Sequence, residues 1–368
     1  MRRGVKISFQ KISRLALTTV VLIIVSGTAL STAGPRPMCA SPAFYPSSPI
    51  SLYDQVQTFS RPCAVRLSGK PLTLIVPSEA YIFVGALLGQ AYTVVSDSRF
   101  DRIVILGYDE SANPATVYSG PDLVTPMGGN PVDNALCAQL LRISPANLTD
   151  ADPKACLPKS IEIQLPFLQK HFPRVPVVPI GIDGLDPEAS LDLGNLLAEL
   201  TKDNPTLFIV VTNLSSTFDI RTCESRDNRF VEKLKNCRFA EIMTELEKGT
   251  ISLESSGAFI AGITPAILAG ADDCKVLRYE NTGRITGDHQ RVCGYLSAVI
   301  TGDRQISGPE FEIPAEVGAK LLKHARSTIE ISAGKLSTPV PKSEIPENIP
   351  IDGIHIDIIT DFRASGVG

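Results

Sequence analysis

The sequence predicts an α/β protein with a mixed, mostly parallel sheet that is covered by helices on both faces. Short apolar runs alternate with helical patterns along most of the chain, which is typical of parallel strands joined by crossover helices. The composition, 43% hydrophobic and 20% charged, is that of a globular protein, and 368 residues are enough for one large core. We therefore expect one α/β domain followed by a short α+β segment.

The predicted elements follow one another from residue 72 onward. Continuous apolar runs predict strands that are buried on both faces, and apolar residues at helical spacing predict the helices between them. The turn-rich NTGRITGDHQ between the last two strands predicts an antiparallel hairpin at a sheet edge. The predicted strands are residues 72–76, 102–106, 175–180, 206–211, 274–280 and 292–300, and the predicted helices are 81–95, 132–142, 160–171, 187–200, 229–248 and 258–269.

Residues 1–33 have the layout of a secretory signal peptide. Basic residues, among them Arg2 and Arg3, precede the apolar run LALTTVVLIIVSGTAL, and the small residues Ser31 and Ala33 are placed for cleavage. The run is near the lower limit of length for a membrane span, so an uncleaved anchor is the alternative. In both cases the body is expected to be exported, to the periplasm or outside the cell, and to meet a membrane only through this segment.

The rest of the chain divides by composition. A proline- and serine-rich lead-in is expected over residues 34–66, the α/β domain over 67–305, and a proline-rich segment with an incomplete strand pattern over 306–368. The net charge of -4, with no basic cluster beyond the N-terminus, gives no surface for nucleic acid. A small molecule or another protein is therefore the expected partner.

Eight cysteines, all beyond the expected cleavage point, form an even set. In an exported protein this predicts at least two disulfides. A chain of this size can also build a core without them, so free buried thiols are the alternative for some of the set. The simplest of many connectivities joins sequence neighbours: Cys39 with Cys63, Cys137 with Cys156, Cys223 with Cys237, and Cys274 with Cys293.

Polar residues follow three of the predicted strands, in the stretches VPSEAY, LGYDES and VTNLSS. Ligands of open α/β sheets bind at the carboxyl ends of the strands, so these stretches are the natural place for a site. At the first of them, Ser78 and Glu79 also suit a helix N-cap and a first-turn carboxylate. We expect the pair to cap the helix and to line a pocket.

Together with KSIEIQLPFLQK and SSGAFIAG, the order of these stretches resembles the Memo family, known as component B of the AmmeMemoRadiSam system. The resemblance implies the α/β fold that this family shares with class III extradiol dioxygenases. SIEIQLPFL is the most specific part and is similar to the family's His-Ser-Ile-Glu-x-His-Leu-Pro-Phe/Tyr signature. The segment from Pro309 resembles the start of an AMMECR-type domain, with RASGVG in place of an Arg-Gly-Cys-Ile-Gly motif.

The chain departs from the family pattern at the positions of its metal ligands. The family's Pro-His-Ala-Gly-Tyr becomes PSEAY, and its Gly-Pro-x-His-His run becomes GYDES. Serine and asparagine are poor substitutes for imidazole at a redox metal, since borderline metals favour nitrogen donors. The resemblance thus implies a degenerate pocket at Ser78, Glu79, Asp109, Glu110, Ser111, Lys159 and Gln164 (both for histidine), Glu162, Asn213 (for aspartate), Ser216 (for histidine) and Ser256 (for cysteine).

Two functions follow from these residues. The first is an exported, non-catalytic Memo-like domain that binds a small molecule or protein and needs no cofactor. The second is a divalent-metal-dependent enzyme, a hydrolase or dioxygenase-like, in which Glu79, Asp109 and Glu110 supply oxygen ligands for magnesium, calcium or manganese. A serine hydrolase is not supported, because the chain has no GxSxG motif and no histidine at a motif position. Glu162, on an apolar helical face, is expected to be buried, hydrogen-bonded and structural.

Overall fold

The computed structural model describes residues 36–62, 65–112, 114–144 and 148–302. All of them lie within the unit Met1–Ile306. The predicted leader or anchor, residues 1–33, and the predicted AMMECR-like segment, residues 306–368, lie outside the described residues, as does Cys63. None of the described helices is both long enough and apolar enough to cross a membrane.

A nine-stranded mixed sheet forms the centre of the fold. Its order is β10-β11-β1-β8-β2-β7-β3-β6, with β9 paired to β11, while β4 and β5 form a separate hairpin. The four central strands run parallel, and β11 is antiparallel to both β1 and β10. The strands are β1 (Lys70–Val76), β2 (Arg102–Tyr108), β3 (Ala115–Val117), β4 (Leu123–Thr125), β5 (Gly128–Asn130), β6 (Thr149–Asp150), β7 (Val177–Ile182), β8 (Thr206–Val211), β9 (Ser216–Thr217), β10 (Asp273–Asn281) and β11 (Val292–Gly302).

These strands confirm the predicted α/β class and the antiparallel hairpin at the sheet edge. Alternate residues of β1 enter different apolar clusters, with Leu74 and Val76 on one face and Ile75 on the other. Such a strand has no polar face, which is why residues 74–76 are all apolar. The hairpin differs from the prediction in one detail, because a short helix stands in its connection.

Ten helices are described. The predicted helix 160–171 is divided into α4 and α5, and the predicted helix 229–248 is divided into α7 and α8, with α7 starting earlier than predicted at its N-cap Asp219. The first helix was not predicted, although Ser48 caps it and proline follows. The helices are α1 (Pro49–Phe59), α2 (Tyr81–Val94), α3 (Asn134–Ile143), α4 (Lys159–Glu162), α5 (Leu165–His171), α6 (Pro187–Thr201), α7 (Ile220–Lys235), α8 (Phe239–Glu247), α9 (Ser256–Leu268) and α10 (Thr282–Thr286).

The residues of the predicted lead-in contribute to the core. Leu52 and Val56 of α1 are fully buried in the same apolar cluster as α2 and α5. Helices α1 and α2 come very close to each other, since a Cβ on Gly89 of α2 would lie 2.2 Å from the carbonyl oxygen of Phe59 in α1. Glycine is therefore required at this crossing. Upstream, the guanidinium of Arg36 donates to the carbonyls of Ser119 and Asp152 at 2.6 and 2.5 Å.

One disulfide, between Cys39 and Cys156, fixes this N-terminal segment to the loop before α4. It contradicts the predicted pairing of sequence neighbours, since Cys137, Cys223, Cys237, Cys274 and Cys293 are free. The physical reason is distance. Cys223 and Cys237 lie towards opposite ends of α7, about 20 Å apart at 1.5 Å per helical residue, and Cys274 and Cys293 lie near opposite ends of the β10–β11 hairpin.

Removing the Cys39–Cys156 disulfide should destabilise the protein. The two cysteines are separated by 117 residues, and closing a loop of that size in the unfolded chain accounts for about 4 to 5 kcal/mol. Urea unfolding of Cys39→Ser, Cys156→Ser and the double variant should give equal losses, because each removes the same bond. Losses that add together would show that each cysteine contributes through its own packing instead.

Candidate ligand site at the carboxyl edge of the sheet

The three polar stretches meet at one edge of the sheet. The register places Val76 of β1 beside Val211 of β8, and Val211 beside Gly107 of β2. The chain segments that follow these three strands therefore leave the sheet side by side, which is the arrangement that the sequence predicts. This edge is the candidate site, as in other open α/β sheets.

Asn213 joins two of these segments. Its side-chain oxygen accepts from the backbone N–H of Ser78 at 2.9 Å, and its side-chain nitrogen donates to the carbonyl of Ser78 at 3.0 Å. The residue is 5% exposed. The amide at the family's aspartate position thus holds the segment after β1 to the segment after β8.

The expected cap at Ser78 is wrong. The N-cap of α2 is Ala80, which receives no side-chain hydrogen bond, and the Ser78 hydroxyl has no part in the cap. Asn213 fixes both backbone polar groups of Ser78 two residues before the cap, so the serine is held to β8 instead. The role predicted for Glu79 is wrong as well, because Glu79 precedes the N-cap and is not in the first turn of α2; its carboxylate accepts from the N–H of Ala80 at 2.8 Å.

Asp109 is turned into the protein. It is 4% exposed, and one carboxylate oxygen accepts from the N–H and hydroxyl of Ser111 at 3.0 and 2.6 Å. The other oxygen accepts from the hydroxyl of Tyr118 at 2.6 Å. Glu110, the next residue, is exposed. Within the described ranges, no three histidine, cysteine, aspartate or glutamate side chains are grouped to hold a metal.

Helix α4 connects the ends of β1 and β2. The hydroxyl of Ser160 donates to the carbonyl of Tyr108 at 2.6 Å. Gln164, just after α4, is fully buried, and its amide nitrogen lies 3.2 Å from the carbonyls of Pro77 and Ser160. Its amide oxygen accepts from Tyr92 at 3.1 Å. The glutamine at a family histidine position is therefore a structural group of the interior.

Lys159, at the first position of the signature, has different surroundings. Lys159 is exposed, and its ammonium lies 5.7 Å from the centre of the Phe44 ring. Phe44 belongs to the N-terminal segment, whose carbonyl at this residue accepts from the N–H of Tyr81 at 2.9 Å. Lys159 thus lies against a segment that precedes the sheet in sequence.

The burial and the hydrogen bonding predicted for Glu162 are confirmed. The residue is 1% exposed, and its carboxylate accepts three hydrogen bonds. The donors are the N–H groups of Cys39 and Ala40, each at 2.9 Å, and the hydroxyl of Tyr45 at 2.6 Å. Burial raises the pKa of Tyr45, and the hydrogen bond to Glu162 raises it further. The tyrosine therefore stays a donor.

Sequence reasoning missed Glu254, which lies at the same edge. Its N–H donates to the carbonyl of Asn213 at 3.0 Å, and its carboxylate lies 3.4 Å from the N–H of Asn213. The residue keeps exposed surface, but surrounding protein shields its carboxyl and raises the pKa to about 7, with the charge of Glu79 adding to the shift. Its place just before the helix start SSGAFIAG was the available signal.

The edge is acidic around one phenol. The charge of Asp183 is the main cause that raises the pKa of Tyr108, and Glu110 and Glu254 add to it. On the β11 side, burial raises the pKa of the Cys293 thiol to about 12, helped by Glu254. A cationic or neutral ligand group suits such an edge better than an anion.

The remaining predicted site residues, Ser216 and Ser256, lie at the border of the candidate site. Ser216, in β9, is exposed and pairs with Cys293. Ser256 is exposed at the start of α9, and Ser255 caps that helix by accepting from the N–H of Ala258. His171 lies outside this edge. Its Nε2 atom is hydrogen-bonded to the hydroxyl of Ser60 at 3.1 Å, and burial lowers the pKa of the imidazole to about 4.

The sheet and its polar edge define an α/β protein whose strand ends are held together by internal hydrogen bonds. The Memo-like protein family matches residues 36–299, which is most of the chain, and the chain belongs to that family. The match begins within the N-terminal segment that Glu162 holds.

Two MEMO1 family proteins and one solved structure are similar to this chain. A MEMO1 family protein of Aquifex aeolicus is 27% identical over 235 residues, which cover 63% of this chain and 86% of the relative. A MEMO1 family protein of Thermotoga petrophila is 27% identical over 274 residues, covering 70% and 96%. The crystal structure of an uncharacterized protein from Escherichia coli K12 is 14% identical, with a TM-score of 0.39, and covers 62% of this chain and 98% of that one.

Replacing Glu162 by leucine should strongly destabilise the protein. The change leaves three donors without an acceptor, and each of the two buried ones, the N–H of Ala40 and the hydroxyl of Tyr45, costs about 1 to 3 kcal/mol. Tyr45→Phe is the matched control, since it removes a single donor and should cost about 1 kcal/mol. Chemical unfolding measures both, and an unchanged midpoint for Glu162→Leu would contradict the structural role.

The stability contribution of Glu254 should depend on pH. Its folded pKa of about 7 is above the ordinary 4.5, so protonation favours the folded state. This contribution is complete below pH 4.5 and is lost as the pH rises through 7. We expect wild type to lose stability relative to Glu254→Gln between those limits, as measured by urea unfolding. Parallel pH profiles for the two proteins would refute it, and Glu79→Gln should reduce the effect.

Proposed function

We propose that this protein is an exported Memo-like domain that binds a small molecule or a protein partner at the carboxyl edge of its sheet without catalysing a reaction. The observation that carries the proposal is that residues at the family's ligand positions form hydrogen bonds with the backbone inside the protein. Asn213 holds Ser78, and Gln164 holds the carbonyl of Pro77. Side chains that are engaged with the backbone in this way have few groups left for a metal or a substrate.

The carboxylates support the same proposal. Asp109 is the most buried of the proposed oxygen ligands, and its carboxylate oxygens accept hydrogen bonds from Ser111 and Tyr118. Glu79 accepts from the backbone at the start of α2. The proposal needs no cofactor. The acidic surroundings of Tyr108 favour a ligand with a positively charged or neutral polar group.

Export is part of the proposal. Disulfides form and persist in oxidising compartments, so the Cys39–Cys156 bond supports a location outside the cytosol. The basic and apolar pattern of residues 1–33 supports the same location. The membrane contact, if the leader is retained as an anchor, would be made by that segment.

A divalent-metal-dependent enzyme is the second candidate, and one observation favours it. Glu79 lies near enough to Glu254 for its charge to raise the pKa of the Glu254 carboxyl. A bound cation would relieve this repulsion, and oxygen ligands suit magnesium, calcium or manganese. In this candidate Glu254 would join Glu79, Asp109 and Glu110.

Metal analysis of the full chain, purified without added metal, separates the two candidates. We expect less than one equivalent of any metal and no thermal shift with Mg²⁺, Ca²⁺ or Mn²⁺. If the site bound a metal, a metal concentration 100-fold above the Kd would instead stabilise the protein by about 2.7 kcal/mol. A stoichiometric metal that is lost in Glu79→Gln/Glu254→Gln would establish a metal site at this edge, as the second candidate requires, and would overturn the proposal.

A variant with the family's ligand types restored provides the positive control. Ser78→His/Ser111→His/Ser216→His/Ser256→Cys should take up iron or copper, because imidazole and thiolate suit these metals. Equal uptake by wild type would show that the unmodified site is a working metal site.

A further inference from the structure

A cleft of about 450 Å³ lies between the end of α1, helix α2 and the edge strand β10. Phe59, Pro62 and Ala86 supply apolar surface to its wall, and Arg61 and Arg278 supply two guanidinium groups. None of the described residues that line the cleft is acidic, and none belongs to the carboxyl edge of the sheet. A cleft of this volume, in which apolar surface surrounds a few charged groups, is typical of a small-molecule site.

Phe59 is held in the wall of the cleft by α2. Cβ atoms on Gly85 and Gly89 would collide with the ring and with the backbone of Phe59, so these two glycines let α1 approach α2 at this residue. The ring also meets the ring of Tyr81 edge-on, with the two centroids 6.3 Å apart. Because this wall is fixed before a ligand arrives, binding loses little free energy to ordering it.

A break in the register of β10 directs Arg278 to the cleft. Cys274 and Val276 belong to the apolar cluster on the α7 side of the sheet, whereas Leu277 packs against the cluster that contains α2. Regular alternation would turn the next residue, Arg278, back to the α7 side. The register shifts between Val276 and Arg278, and it is Tyr279 that returns to the α7 side. A bulge re-aims side chains in this way, and here it leaves Arg278 on the side of α2, where it lines the cleft.

Both guanidinium groups keep donors for a ligand. Nε of Arg61 donates to the carbonyl of Thr58 at 3.2 Å, at the end of α1. Nε and Nη2 of Arg278 donate to one oxygen of Glu280 at 3.3 and 3.0 Å. These hydrogen bonds leave both Nη groups of Arg61 and the Nη1 group of Arg278 for other partners. Guanidinium groups bind carboxylate and phosphate through paired hydrogen bonds, so the cleft suits an oxyanion.

We propose that this cleft binds a small organic anion, with a carboxylate or phosphate group between Arg61 and Arg278 and an apolar part against Phe59 and Pro62. The two arginines determine the sign of the ligand's charge, because no described lining residue carries a negative charge. The volume restricts the ligand to a small molecule. The site is independent of what the carboxyl edge of the sheet binds.

Calorimetric titration of the full chain with phenyl phosphate and with benzoate tests the site. Each probe carries one oxyanion group on a ring, so the pair distinguishes a phosphate ligand from a carboxylate ligand. We expect saturable binding of at least one probe, weaker binding of its ringless analogue (inorganic phosphate or acetate), and no binding of benzyl alcohol, which has the ring without the charge. The proposal is overturned if neither probe binds saturably in the millimolar range, or if the analogue or benzyl alcohol binds as tightly as the probe.

Three single variants show whether the probe binds in the cleft. Arg61→Gln and Arg278→Gln should each raise the Kd of the bound probe about 10-fold or more, because each removes charge-assisted hydrogen bonds. Arg229→Gln, at an exposed position of α7, is the matched control and should leave the Kd unchanged.

Arg61 also lies at the end of α1, where it could act only as a helix cap. In that case Arg61→Gln would lower the unfolding midpoint and keep the wild-type Kd, and this result would contradict the proposed site. An unchanged Kd in Arg278→Gln would likewise place the probe elsewhere. If Arg61→Gln does not fold, Arg278→Gln decides, since its side chain is 44% exposed on the edge strand.

Discussion

A buried carboxylate, that of Glu162, is the interaction on which the rest of this structure depends. An unpaired charge is expensive to bury, so its oxygens must be met by donors. All three donors come from residues 39–45, before the first helix. The carboxylate therefore fixes where the N-terminal segment lies. Ser160 of the same short helix and Gln164 just after it hold the ends of β2 and β1. Residues 160–164 consequently position both the N-terminal segment and the loops of the candidate site.

The replacements at the site share a chemical property. Asparagine and glutamine each carry a donor and an acceptor, so one side chain can satisfy an N–H and a carbonyl at once. Asn213 does this at Ser78, and Gln164 meets two carbonyls and a tyrosine hydroxyl. A neutral imidazole carries one donor and one acceptor in a rigid ring, and a metal would take the acceptor. In this chain the loops that follow β1 and β8 are held together by the amide of Asn213, and Gln164 holds the loop after β1 to the residues around α4.

The sequence was informative where one physical effect dominates. The central strands follow from apolar runs, and the burial of Glu162 follows from the apolar positions around it. Interactions between distant segments could not be predicted: the Cys39–Cys156 bond spans 117 residues, and Ser78 fails as a cap because Asn213, far away in sequence, holds it. The break between α7 and α8 carries no glycine or proline to mark it, since Cys237 takes the left-handed position. The raised pKa of Glu254 exists only after folding shields its carboxyl from water and brings the charge of Glu79 near.

The end strands of the sheet bear on how this protein behaves at high concentration. β10 is long enough to recruit a strand from another molecule, and an exposed flat edge of that kind promotes aggregation. Its register shifts between Val276 and Arg278, which bends the edge, and the charged side chains of Lys275, Arg278 and Glu280 stand along it. Lys275 also donates to the carbonyl of Arg66, so the segment before β1 lies against its beginning. At the opposite side the sheet ends in β6, a strand of two residues. Neither end offers a long, regular ladder, and both therefore disfavour pairing between the sheet edges of two copies.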